Sequence, residues 1–503
     1  MAEALAVLGT ASDVGKSLVT AGLGRLLLRR GVRVAPFKAQ NMSLNSFVTV
    51  EGGEMGRAQV VQAQACGVRP HVDMNPILLK PEGEQRSQVV VQGVVWGTRD
   101  AGAYFDDQAE LFGVVRDSYA RLAADCEVML IEGAGSAAEL NLRDRDLVNW
   151  PVVHMADARV ILVADIDRGG VFAQVIGTLD LLAPPERARV LGVVVNKFRG
   201  DQRLFDDGVA ILEERTGLPV LGVVPFMREV WIDQEDSVVI ESESETPFSR
   251  ETVNVAVVLL PRMSNFTDLD ALAAEPDVVV RYVGRARALA DADVIILPGS
   301  KHVMQDLRYV RENGFAEILT LPGAHHLEVV GLCGGLQMLG EWIADPHQVE
   351  GGGEAEGLCL LPVRTELHPV KQTAQVMAQP LLPGLSESAM VHGYEIHMGV
   401  THRRRGVPCF RIVEETGVRE DGAMSADGLV WGTYLHGVFD APSFRRAWIN
   451  RARARKGLAP RPVSDSEQVT RRLASAIDRW ADHVEQHVDM KTILEALHLS
   501  VAG

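Results

Sequence analysis

Residues 5–30 read LAVLGTASDVGKSLVTAGLGRLLLRR. The apolar run Leu5–Leu8 enters a glycine-bounded loop, and a helical pattern follows from Lys16 to Arg30. Leu18, Val19, Leu23, Leu26 and Leu27 share one side of that helix, and Gly31 is its stop. This order suits a phosphate group, because loop amides and a helix N-terminus both present N–H donors to phosphate oxygens. Lys16 brings positive charge to the outer phosphates, and the Ser17 hydroxyl is a Mg²⁺ ligand by type. The spacing Gly9-x5-Gly15-Lys16-Ser17 is one residue longer than the usual phosphate loop. No G-x-G-x-x-G follows the first strand, which disfavours a dinucleotide site.

Working outward, further apolar runs recur at Val32–Phe37, Val128–Ile131, Val160–Val163, Leu191–Val195 and Val220–Val224. They are continuous rather than alternating, which predicts a parallel sheet covered on both faces. Ligands gather at the carboxyl ends of such strands. There the sequence offers Lys38, Gln40, Asn41, Ser43 and Asn45 in FKAQNMSLNS, and Glu132 in IEGAGS as a metal-ligand carboxylate beside Gly133 and Gly135. Asn196 in NKFRGD is placed to read a nucleobase edge, and Asp165, Asp167 and Arg168 crowd another strand end. The expected nucleotide set is Thr10, Gly15, Lys16, Ser17, Lys38 and Asn196, with Ser17 and Glu132 on the metal.

A second α/β series starts at Val253–Leu260 and continues through Val278–Val283, Val294–Leu297 and Leu327–Gly331. It contains LEVVGLCGGLQMLGE (327–341), in which a short strand meets Gly331-Leu332-Cys333-Gly334-Gly335 and a helix begins. Small neighbours permit a sharp turn that exposes a nucleophile, and the helix start favours thiolate and oxyanion. Gly299 in LPGSK and Gly334 are expected oxyanion or glutamine contacts, as is Gln337. The cysteine needs a base; His436, in LVWGTYLHGVFD, is the expected one. HGYEIHMG (392–399) reads as a binding or structural loop rather than a metal site.

With 503 residues, two to four domains fit. The expected division is 1–232, an acidic Ser-rich linker at 233–252, a second domain at 253–445 and a helical tail at 446–503, with an amphipathic helix near 466–486. Lys plus Arg number 50 against 67 Asp plus Glu, a net charge of −17, which argues against nucleic acid or an anionic membrane as partner. The five cysteines form no CxxC pair, so a reducing cytoplasm is expected. The opening apolar run ends at Gly9 without a basic segment before it and reads as a strand, not a signal peptide.

Together the motifs resemble one family. G-L-C-G-G-L-Q with a later Y-L-H-G resembles the class I glutamine amidotransferase domain of the cobyric/cobyrinic acid synthases. GTASDVGKS, FKAQNMSLNS and IEGAG resemble the ATPase half of the same enzymes, which is related to dethiobiotin synthetase. EMGRAQVVQAQA (54–65), MNPILLKP (74–81), DIDRGGVFA, NKFRGD, LPGSK and HGYEIHMG extend the likeness over residues 4–445. The resemblance implies an α/β protein: an ATP-dependent amide synthetase domain, then a glutaminase. It implies an amidoligase of cobalamin biosynthesis using ATP, Mg²⁺, L-glutamine and a corrinoid. The branch indicated amidates the b, d, e and g carboxylates of adenosylcobyrinic acid a,c-diamide. The alternatives are the sister branch that makes the a,c-diamide, or a regulatory ATPase with an inactive glutaminase. Cys333 matches the nucleophile, His436 its base, Gly15, Lys16 and Ser17 the phosphate loop, and Glu132 the Mg²⁺ carboxylate. Many such glutaminases place Glu two residues after the His. Here that position is Val438, so the sequence assigns no third member of the triad.

Overall fold

The computed structural model describes residues 2–82, 86–227, 247–320, 327–414 and 417–499. Two compact units result. The first comprises Met1–Ser43, Glu54–Asp236 and Ser475–Gly503, the second Leu44–Gly53 and Ser237–Ala474.

In the first unit six parallel strands lie in the order Val220–Pro225, Val190–Phe198, Arg159–Asp165, Glu3–Gly9, Val128–Glu132, Val34–Phe37. The continuous apolar runs account for this sheet. Leu5, Val7, Leu130 and Ile161 pack into one face, Ala6, Leu8, Ile131 and Leu162 into the other. The helix Lys16–Arg29 covers the first of these faces. A second, four-stranded sheet joins Gln40–Met42, Ile77–Pro81, Arg86–Val91 and Val94–Asp100. Its strands are short and mix polar with apolar residues.

The second unit has its own mainly parallel sheet, in the order Val278–Val283, Val253–Val258, Val294–Leu297, Glu328–Leu332, Val430–Thr433, Ala423–Met424, with only the last strand antiparallel. Beside it a seven-stranded sheet is built around the long hairpin of Val363–Pro380 and Val391–Arg403.

Three expected boundaries differ. Leu44–Gly53 belongs to the second unit. The limit at 445 cuts a helix, Pro442–Arg455, whose Arg445 and Arg446 are fully buried. Arg445 pairs with Glu275 at 2.7 Å and Arg446 with Asp277 at 2.9 Å, so unpairing them would strand buried charge. The single helix expected near 466–486 is two helices, Val463–Ala474 and Ala476–His487. The first belongs to the second unit. The second packs on Lys16–Arg29, where the Trp480 indole donates to the Leu18 carbonyl at 2.6 Å. Of the expected linker, 233–246 lies outside the described residues. At its end, Lys456 Nζ donates to the carbonyls of Ser249 and Thr252.

Candidate active sites

At the phosphate loop, Gly15 has φ +97°, and a Cβ there would lie 2.1 Å from the Asn196 amide nitrogen. Both the backbone angle and the space therefore require glycine. The Asn196 amide donates to the Val14 carbonyl at 2.8 Å, so this side chain braces the loop. Lys16 Nζ donates to the carbonyls of Ala11 and Gly135, each at 3.0 Å. Ser17 Oγ donates to Glu132 Oε1 at 2.7 Å. Glu132 is buried and also receives Lys38 Nζ at 3.0 Å and the Gln62 amide. Burial pushes the Glu132 carboxyl upward, but the Lys38 charge and the bonds from Gln62, Ser17 and Lys38 outweigh it and hold the pKa below the usual value. An ionised carboxylate beside a hydroxyl is the donor set that Mg²⁺ takes. The residues therefore fit that ion. Gln62 was not anticipated; it lies on the helix Arg57–Ala65.

Thr10 Oγ1 donates to Gln174 at 3.3 Å. The crowded acids form ion pairs, Asp165 with Lys197 at 2.9 Å, Asp167 with Arg199 at 2.7 Å and Arg168 with Asp13 at 3.0 Å. Asn45 lies with Leu44–Gly53 in the second unit. Next to the loop opens a cavity of about 530 Å³, lined in part by Gln40, Gly135, Arg86, Arg99, Arg143 and Arg145. Gly135 is the residue whose carbonyl holds Lys16.

In the second unit, Cys333 has φ +49° and ψ −105°, a conformation that strains any side-chain-bearing residue. It stands between strand Glu328–Leu332 and helix Gly334–Leu339. The tight turn needs glycine on both sides, since a Cβ at Gly331 would meet Leu336 N at 2.6 Å and one at Gly334 would meet Ser300 N at 2.8 Å. Gly299 is equally confined, since a Cβ there would lie 2.8 Å from the Ser264 carbonyl oxygen. Gln337 donates to the Tyr434 hydroxyl at 3.0 Å.

His436 is completely buried. Its Nδ1 lies 2.6 Å from Asp268 Oδ2, and the Gly437 N–H donates to the other carboxylate oxygen at 2.9 Å. Burial pulls the imidazole down, yet the charge and hydrogen bond of Asp268, with a further hydrogen bond to Cys333, hold it up to about 10. A protonated imidazole beside a thiol stabilises the thiolate. Asp268 stands against His436 where the third member that the sequence left open would be. HGYEIHMG is a strand, not a loop, lying within Val391–Arg403. Tyr394 stacks on His436 with ring centres 5.3 Å apart. His397 stacks on Tyr434 and contacts the Gly399 carbonyl at 2.8 Å. Burial drops its pKa to about 4. Glu395 pairs with Arg419 at 3.0 Å.

Two family models match these units. A CobQ/CobB/MinD/ParA nucleotide binding domain covers residues 5–238, and a CobB/CobQ-like glutamine amidotransferase domain covers 254–444. Proteins named cobyric acid synthase are 48% identical from Syntrophobacter fumaroxidans, over 99% of both chains, and from Chloroflexus aggregans, again over 99% of both. One from Klebsiella pneumoniae is 48% identical over 98% of both. The chain belongs to the cobyric acid synthase family. Like that family, it is an amidoligase with a nucleotide-binding and a glutamine amidotransferase domain. None of the helices among the described residues is long and apolar enough to cross a membrane.

Proposed function

We propose that the chain is a cytoplasmic cobyric acid synthase, which amidates the b, d, e and g carboxylates of adenosylcobyrinic acid a,c-diamide with ATP and glutamine. The observation that carries this reading is the Asp268–His436 pair beside Cys333. It supports a working glutaminase and disfavours a regulatory ATPase with a dead one. The names of the relatives favour this branch over the a,c-diamide synthase.

The thiolate of Cys333 attacks the amide carbon of glutamine. His436 gives its proton to the departing ammonia, leaving a γ-glutamyl thioester that water hydrolyses. The backbone N–H groups beside Cys333 and at Ser300 supply the oxyanion donors. In the first unit, an acceptor carboxylate attacks the γ-phosphorus of ATP and ADP leaves. Ammonia then displaces phosphate from the acyl phosphate to form the amide. Lys16 and the loop amides orient the phosphates, and Ser17 with Glu132 would hold Mg²⁺, which neutralises phosphate charge when bound. The cavity beside Gly135 is mainly apolar with Arg86 and Arg145 on its lining, which suits a large acceptor that presents carboxylates from an apolar body. Incubating the protein with ATP, Mg²⁺, glutamine and either cobyrinic acid or its a,c-diamide, then counting added amides by mass, tests the reading. Four amides on the a,c-diamide are expected. Amidation of cobyrinic acid at two positions only would assign the sister activity.

A further inference from the structure

The glutaminase constellation holds one more side chain. Asn265 has left-handed backbone, φ +52°, at the start of the turn Phe266–Leu269 that carries Asp268. Its Nδ2 lies 3.4 Å from Nδ1 and 3.3 Å from Nε2 of His436. Near-equal distances place the amide against the ring as a whole rather than in line with one nitrogen. The other end of the amide is also held, since its Oδ1 accepts the Ser46 N–H at 3.0 Å. Asn45 Oδ1 accepts the Phe266 N–H at 3.1 Å. The Tyr394 hydroxyl donates to the Ser46 carbonyl at 3.0 Å, and the Phe47 ring lies 5.4 Å from that of Tyr394. Farther along, Gln375 donates to Val48 and Thr373 to Gly52.

We propose that Asn265 is a positioning residue of the glutaminase, and that segment Leu44–Gly53 is the clamp that holds Asn265 and Tyr394 against His436. The inference rests on the glutaminase reading above. Asp268 fixes one edge of the imidazole, about which the ring can still pivot. His436 must serve both the thiol and the departing ammonia, so a pivot misdirects its proton. Asn265 on the ring and Tyr394 stacked upon it remove that freedom. The charged and titratable groups facing the ring are Asp268 from the turn, Cys333 from the nucleophile elbow, and His397 and Tyr394 from strand Val391–Arg403. The strain of a left-handed asparagine is sustained by the bonds to Ser46 and from Asn45 to the next residue.

The test uses the full chain and the variants Asn265→Ala, Ser46→Pro, Asn45→Ala and Cys333→Ala. Four quantities are read: glutaminase kcat, KM for glutamine, the alkylation rate of Cys333 by iodoacetamide against pH, and ammonia-driven amidation. Asn265→Ala is expected to lower glutaminase kcat about tenfold or more, with KM changed less than about twofold. It should move the midpoint of the alkylation profile by about half a pH unit or more. Ser46→Pro removes the donor to Asn265, and Asn45→Ala the acceptor for Phe266; both should act in the same direction but less. Ammonia-driven amidation should persist in all three. An unchanged kcat and alkylation profile in Asn265→Ala overturns the proposal. So does a loss confined to KM, which would make Asn265 a glutamine contact. If Asn265→Ala loses ammonia-driven amidation too, Asn45→Ala decides, and normal glutaminase kinetics there reject the clamp. Glutamine hydrolysis by Cys333→Ala would instead overturn the glutaminase reading itself.

Discussion

His436 Nδ1 and Asp268 Oδ2 lie 2.6 Å apart although 168 positions separate them in the chain. The carboxylate holds the ring by its Nδ1 edge and keeps the imidazole charged. Asp268→Asn keeps the shape and removes the charge. Burial then acts against the imidazolium with less opposition, so the ring loses its proton at lower pH than the value of about 10 it has now. Glutaminase kcat should fall about 10²-fold or more, with little change in KM. Alkylation of Cys333 near neutral pH should slow as well. Steady-state assays and alkylation rates across pH 6–10 check both; full activity would remove Asp268 from the site.

In the proposed mechanism Lys16 and Cys333 serve different half-reactions. Lys16→Ala should reduce synthesis about 10²-fold or more with either glutamine or ammonium salt, because it acts on phosphoryl transfer, and should spare glutamine hydrolysis. Cys333→Ala should show the opposite pattern, no use of glutamine but amidation from ammonium salt at raised pH. Parallel assays with each nitrogen source separate the two; equal losses in both variants would count against separate sites.

His397 gives the protein an acid sensitivity. Its pKa is about 4 in the folded chain against an ordinary 6.5, so the unfolded chain takes up a proton at higher pH than the fold does. The stability tied to its neutral form is therefore present above pH 6.5 and lost as pH falls towards 4. His397→Phe should flatten the fall in melting temperature over that window. His436 has the opposite sign: its raised pKa stabilises the fold below 6.5 and is lost as pH rises through about 10. Calorimetry from pH 4 to 10 on the parent and the variant reads both limbs.

Trp480 anchors the phosphate-loop helix. Its indole bonds the Leu18 carbonyl, and a Cβ on Gly22 would lie 3.1 Å from the indole nitrogen. Trp480→Ala should cost about 3–5 kcal/mol of stability and weaken ATP-driven synthesis more than glutamine hydrolysis. Urea unfolding and the two assays measure this; an unchanged unfolding midpoint would contradict the packing role.

Both parallel sheets were legible because Val, Ile and Leu run unbroken through buried strands. Cys333 and His436 were legible for a related reason, each standing beside glycine at the end of such a run. The hairpin Val363–Pro380 with Val391–Arg403 was not, since VRTELHPVKQTAQVMAQP mixes polar residues into a sheet with an exposed face. Asp268 was hidden because the expected acid position, two residues after the histidine, holds Val438. The true partner sits in RMSNFTDLDAL, where nothing in the spacing points to His436. The break at Ser475 was missed because both flanks are good helix formers with apolar stripes.

The chain leaves one unit for the other at 43–44, 53–54, 236–237 and 474–475. No single cut therefore yields two intact proteins. Cleavage in the 233–252 stretch would strip the C-terminal fragment of Leu44–Gly53, and the N-terminal fragment of the helix bearing Trp480. Splitting this enzyme into separately encoded subunits would require rerouting two segments first, so in this architecture the nucleotide-binding and glutamine amidotransferase domains are made at a fixed one-to-one ratio.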